Sequence, residues 1–192
     1  MVGISKIPML QGGADDFQTP ISALDILLPY LDKKWIIWEC AEGKGNLSNS
    51  LFSRGFNVIA SDKIKMQFEM TQSVDTNERN SIQHYSEKDF LIWKPDNFDC
   101  IITNPPYSVK EKFLERCFEL RKPFALLMPL TALESEKRQK LYRKHGIQLI
   151  IPNRRINFET PSGKGGGSWF ATCWFTWGLN LPRDLNFVEV DW

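Results

Sequence analysis

The four residues Asn104-Pro105-Pro106-Tyr107 follow directly on the apolar run CIIT at 100–103. A neutral asparagine offers a carbonyl acceptor and an amide donor, and two prolines stiffen the chain while presenting only carbonyl oxygens. Acceptors gathered on a rigid turn suit the NH2 group of a substrate, and Tyr107 adds a flat face on which a planar base or amide can stack. A second such segment is Glu39-Cys40-Ala41-Glu42-Gly43-Lys44-Gly45. It sets an acid at the end of an apolar run and two glycines in the following turn, where the missing Cβ lets main chain approach a ligand closely. Asp62 ends the next apolar run, at the place where α/β nucleotide folds hold ribose hydroxyls. Each has a plainer reading: a strand-breaking turn, a turn that only packs a helix on its strand, and a helix N-cap.

These residues need elements to hold them. Thr19-Pro20 reads as N-cap and first turn of a helix over 20–31, with Ile21, Leu24, Leu27, Leu28 and Leu31 at helical spacing. A strand at 35–41, a helix carrying Leu47, Leu51 and Phe52 and closed by Gly55, and a strand at 57–62 make a βαβ unit with parallel strands. A short helix is placed at 64–70. Further strands are read at 98–104 and 124–129. Ser108 with Glu111, and Thr131 with Glu134, form capping boxes for two more helices, the second stopped by Gly146. Strands at 147–151 and 169–177 lack a helix between them and are expected to pair antiparallel. The pattern predicts a three-layer α/β sheet, mostly parallel with an antiparallel C-terminal hairpin, binding ligands beyond the carboxyl ends of its strands.

Composition narrows the function. The chain has 192 residues, enough for one domain with a sizeable core, and 24 Lys and Arg against 23 Asp and Glu. Neither a histone-like cation nor an acidic disordered tail fits that balance. No apolar run approaches the ~20 residues of a membrane helix, and the first residues lack an apolar signal core, so a cytoplasmic location with no membrane partner is expected. Cys40, Cys100, Cys117 and Cys173 form no CxxC pair, and only His84 and His145 could join them, so neither a disulfide framework nor a metal site is expected. G-x-S-x-G, H-E-x-x-H and phosphate-loop patterns are missing.

The ordered set Phe17-x-Thr19-Pro20, Glu39 to Gly45, Ser61-Asp62, Asp89-Phe90 and Asn104-Pro-Pro-Tyr107 resembles the S-adenosylmethionine-dependent DNA methyltransferases that modify the N6 amino group of adenine. The resemblance covers most of the chain and is weak beyond the helix at 131–145. It implies that Phe17, Thr19, Pro20, Glu39, Cys40, Ala41, Gly43 and Gly45 contact the methionine part of the cofactor. Asp62 would bind its ribose, and Asp89 and Phe90 its adenine. Asn104, Pro105, Pro106 and Tyr107 would form the catalytic corner. Cys40 stands where the family more often has proline, and the chain carries no separate target-recognition domain. The whole of 1–192 is therefore expected to be one methyltransferase domain of the compact, orphan, phage-like sort, its specificity loose or supplied by a partner chain.

Charge adds a separate pointer. Residues 110–155 hold twelve Lys and Arg and five Glu, a net +7 that leaves −6 for the remainder. A basic segment beside the proposed corner suits a polyanion, and the resemblance implies DNA rather than RNA. Lys110, Arg154, Arg155 and, in the glycine-rich loop at 163–167, Lys164 are the candidate phosphate contacts; 137–145 also reads as a solvated helix face. Three other functions share these residues: methylation of a release-factor glutamine amide, N6-adenine methylation of RNA, and a non-catalytic module that binds cofactor or DNA. Cytosine N4 is chemically close. Cytosine C5 chemistry needs a Pro-Cys nucleophile, which the sequence lacks.

Overall fold

The structure is a computed structural model that describes residues 18–65, 73–74, 80–158 and 170–192. Phe17, Lys164, Trp169 and most of the helix expected at 64–70 lie outside them. Nine strands form one sheet: β1 (Ile36–Glu39), β2 (Asn57–Ser61), β3 (Ser73–Val74), β4 (Ser81–Tyr85), β5 (Cys100–Thr103), β6 (Phe124–Pro129), β7 (Gln148–Pro152), β8 (Thr172–Trp177) and β9 (Leu185–Val188). Their spatial order is β3-β4-β2-β1-β5-β6-β8-β7-β9. The strands β4, β2, β1, β5 and β6 run parallel, and β8 lies antiparallel between β6 and β7, as the expected hairpin requires.

Both faces are covered, which is why the central strands read as unbroken apolar runs. Helices α1 (Ser22–Asp25) and α2 (Asn46–Ser53) pack Leu24, Leu47 and Leu51 on Ile37, Val58, Ile102 and Trp174. On the other face α3 (Lys110–Leu120) packs Phe113, Leu114, Cys117 and Phe118 on Trp38, Ile101, Leu126 and Phe175, while Leu141 and Tyr142 of α4 (Glu136–His145) lie at its border. Each fully buried side chain of this size contributes roughly 1.5–3 kcal/mol.

Three expectations need correcting. The helix read over 20–31 breaks into α1 and a 3-10 turn at Leu28–Tyr30, because Pro29 lacks the N–H that would bond to Asp25 and its ring crowds that carbonyl. Ser108 does not stand at the N-cap of the helix: after the two prolines the chain tightens into a 3-10 turn at Tyr107–Val109, Val109 N–H donates to the Pro106 carbonyl, and α3 begins at Lys110 with Val109 as its N-cap. Thr131 likewise lies within a 3-10 turn, Leu130–Leu133, closed by Glu134 N–H on the Thr131 carbonyl, and α4 starts at Glu136. Gly146 does end α4, at φ +78° with its N–H on the Tyr142 carbonyl. Strands β4 and β9 were not legible in the pattern.

Candidate active site

The sheet order puts β1 in the middle, with β2 on one side and β5 on the other. These three strands are parallel, so the turn after β1, Asp62 after β2 and Asn104 after β5 all emerge at the same carboxyl edge. That edge is where the chemistry-bearing residues of the sequence converge.

Glu39 ends β1 and is 1 % exposed. Thr103 Oγ1 and Ala41 N–H donate to its Oε1, while its Oε2 is buried without a hydrogen-bond partner. Burial pushes the carboxyl up to about 8, the two hydrogen bonds opposing this in part. The glycine turn that follows is clasped from several sides. Gly43 N–H donates to Asp62 Oδ2 over 2.9 Å, Lys44 N–H to Gln18 Oε1 over 3.2 Å, and Glu42 N–H to the Ser61 carbonyl over 3.1 Å. Glu42, itself buried, accepts Ser48 Oγ at 2.6 Å and lies 2.9 Å from His84 Nδ1. That hydrogen bond raises the His84 pKa, against the opposing effect of burial.

The two glycines are required by the turn. Gly45 has φ +83°, and a Cβ there would stand 2.9 Å from Asn49 Nδ2 and 3.3 Å from Glu42 Oε1; Gly43, at φ +57°, would meet Gln18 Nε2 at 3.2 Å. Gly45→Ala is therefore expected to cost about 1–2 kcal/mol from the left-handed backbone alone. A denaturant titration checks the loss; an unchanged midpoint would contradict the strained-turn account.

The corner after β5 is stiff and partly sheltered. Asn104 and Tyr107 are half-buried and Pro105 is buried. The Pro106 carbonyl takes Val109 N–H and the Tyr107 carbonyl takes Lys110 Nζ at 2.9 Å, whereas among the described residues no main-chain donor takes the Pro105 carbonyl. The Tyr107 ring meets Phe170 edge-on at 5.6 Å, and Phe158 lies 6.5 Å beyond Phe170. Aromatic side chains from two connections, the corner after β5 and the segment between β7 and β8, thus gather beside the acceptors. A cavity of about 530 Å³ along β2 and β4, lined by Asn57, Ser81, Gln83, Tyr85 and Trp93 among others, contains none of these residues.

Similarity to solved structures decides the fold. A putative RNA methyltransferase from Pyrococcus horikoshii superposes with TM-score 0.55 at 18 % identity, over 88 % of this chain and 91 % of that one. A dimethyladenosine transferase from Plasmodium falciparum gives 0.52 at 15 %, over 83 % of this chain and 62 % of that one. A modification subunit of a putative type I restriction enzyme from Vibrio vulnificus gives 0.51 at 10 %, over 86 % and 45 %. The fold is the Rossmann-like α/β fold of these structures. No protein-family model matches the sequence, and no curated protein does.

On this fold the other sequence candidates fall into two groups. Thr19 is buried and Pro20 half-buried beside Gln18, whose side chain holds the glycine turn. Asp89 lies near the edge, its carboxyl held below the usual range by Leu91 N–H and by Lys63 2.9 Å away. Arg154 and Arg155 leave β7 exposed at the carboxyl edge, as β7 runs parallel to β6. Cys40 and Phe90, by contrast, are core. Phe90 is 1 % exposed and stacks on Phe113 at 4.6 Å, so any ligand contact from it is through main chain. Within 137–145 the plainer reading gains ground: Arg138 holds the Ala132 and Glu134 carbonyls, and Lys137 and Arg138 face Glu111.

Sequence reasoning passed over Gln18, Glu42, Thr103 and His84. Thr103 had a usable signal: a hydroxyl at the end of an otherwise apolar strand next to Asn104 asks for a buried acceptor. Glu42 and His84 had none, because they lie 42 residues apart in the chain and meet only once β2 and β4 pair.

Proposed function

We propose that this protein transfers the methyl group of S-adenosylmethionine to the N6 amino nitrogen of adenine in nucleic acid. The observation that carries the reading is the Thr103–Glu39 hydrogen bond, which ties the residue before Asn104 to the acid that opens the glycine turn. A site for a donor and a site for an amino group thereby sit on neighbouring strands. The residues fit the cofactor: glycines where a Cβ would collide, a buried carboxylate oxygen lacking a donor, and Asp62 beside the turn. When bound, S-adenosylmethionine would supply an electrophilic methyl on a sulfonium.

The chain's own part is to make the nitrogen reactive. The N6 lone pair is delocalised into the purine ring and nucleophilic only when its protons are drawn into hydrogen bonds. Asn104 Oδ1 and the Pro105 carbonyl would accept them and aim the lone pair for in-line displacement. Tyr107, with Phe170 at its edge, would stack the base. In a duplex the base must first leave the helix at a cost of a few kcal/mol, of which stacking on an aromatic returns about 1–3. Tyr107→Ala is expected to slow methylation of duplex substrate more than of single strands, measured as initial rates on both; equal losses would remove the stacking role. Lys110, Arg154 and Arg155 supply the positive edge, so binding should weaken with salt.

The DNA reading rests on the sequence resemblance. The RNA reading is favoured by the described substrates of similar structures, among them a 23S rRNA methyltransferase at TM-score 0.53 and 12 % identity. Labelled S-adenosylmethionine incubated separately with DNA, RNA and a release factor, followed by mass spectrometry of the products, separates them. N6-methyladenine from either polymer supports the proposal. Methylglutamine alone, or no product, overturns it.

A further inference from the structure

We propose that the open edge of β9 pairs antiparallel with β9 of a second copy of this chain, joining the two sheets about a twofold axis at Asn186. β9 is the last strand of the sheet, and among the described residues only its inner side is paired. Leu149 N–H donates to the Asp184 carbonyl at 2.7 Å and Asn153 N–H to the Val188 carbonyl at 3.0 Å, so the even-numbered residues turn their main-chain groups towards β7. The two-residue period of a strand then turns the N–H and C=O of Leu185 and Phe187 outward. Their side chains, in register with Leu149 and Ile151, stand on the α3 and α4 face at 49 % and 76 % exposure. Edges of monomeric sheets are usually blunted by lysine, proline, a bulge or an inward charge. Leu185–Val188 has none of these residues.

The sequence of this edge is complementary to itself. Centring an antiparallel pair on Asn186 sets Leu185 opposite Phe187 on both sides of the axis, each pair able to exchange two main-chain hydrogen bonds. The same register sets Arg183, just before the strand, opposite Glu189, just after it; both are exposed. Among the described residues, neither has an ion-pair partner within the chain. Centring on Phe187 would instead oppose Leu185 to Glu189, and centring on Leu185 would oppose Phe187 to Arg183. Only the Asn186 register matches apolar with apolar and cation with anion, which is what an isologous contact requires. Because β9 runs parallel to β7, the carboxyl edges of the two copies face opposite ways, and each copy keeps its own substrate side.

Sedimentation velocity of the full chain over a concentration series tests this. One strand pair is a small interface, so a reversible dimer with a dissociation constant of about micromolar order is expected. Phe187→Asp, and separately Arg183→Glu or Glu189→Arg, should each weaken association by roughly tenfold or more, and the double reversal Arg183→Glu/Glu189→Arg should recover most of the loss. Circular dichroism melts of each variant report whether the fold survives; if Phe187→Asp fails to fold, the charge-reversal series alone decides. A wild-type chain that stays monomeric throughout overturns the proposal, as does a dimer indifferent to these changes or a double reversal that recovers nothing.

Discussion

Replacing Asn104 by alanine is expected to lower methyl transfer by at least about 10²–10³-fold, the scale seen when one preorganised hydrogen-bonding group is removed from a reacting centre. Affinity for S-adenosylmethionine should stay nearly unchanged, since Glu39, Asp62 and the glycine turn are held by other residues. The reason is local. Asn104 is the first residue beyond β5 and is followed by two prolines, so its position is set by the sheet and the corner rather than by its own side chain. Asn104→Asp keeps acceptor oxygens while losing the amide donor, and is expected to retain more activity than the alanine variant. Single-turnover rates with saturating cofactor, alongside calorimetric binding, separate chemistry from binding. An alanine variant that transfers methyl at a near-normal rate would remove Asn104 from the reaction.

The second large effect concerns Glu39 and pH. Its carboxyl moves from an ordinary 4.5 to about 8 on folding, through burial. Below pH 4.5 both folded and unfolded chains carry the proton, and Glu39 adds no penalty. Between those values only the folded chain keeps it, so folding stability falls as pH rises, and above about 8 the whole penalty is present. Even half of that displacement, at about 1.4 kcal/mol for each pH unit, gives about 2 kcal/mol, or roughly 4–8 °C in Tm for a chain of this size. Glu39→Gln removes the titration, so its Tm should overtake that of the wild type as pH rises from about 6 to about 8. A cofactor ammonium held against the unpartnered Glu39 Oε2 would favour the ionised form. Wild-type affinity is then expected to rise over the same interval with release of a proton, and the Gln variant to lose that rise. Thermal melts and calorimetry in buffers of different ionisation enthalpy check both parts. Parallel melting curves for the two proteins would refute the buried-acid account.

Much of this arrangement was readable before the structure, for physical reasons that differ by element. The strands at 36–39, 57–61, 100–103 and 124–129 are covered on both faces, so their apolar runs stand out whatever the tertiary context. β4 and β9 were missed because each is only partly covered. In β4, Ser81, Gln83 and Tyr85 are half-buried, and in β9 Leu185 and Phe187 are exposed, so neither shows the apolar continuity on which the reading depended. The helix starts shifted because Ser108 and Thr131 each follow close on proline-bearing segments that commit the chain to tighter turns. At the site, glycines and prolines announced themselves through backbone geometry. The buried contacts of Glu42 with His84 and of Glu39 with Thr103 depend on pairing between distant strands, which no local pattern encodes.

The pairing of β1 with β5 rests on the register Ile37 to Cys100 and Trp38 to Ile101. A slip of one residue in either strand would swing Thr103 to the opposite layer and carry the proline corner with it. Spacing is thus a gauge for the corner: an insertion or deletion inside WIIWE or CIIT would pull apart the groups that the register brings together.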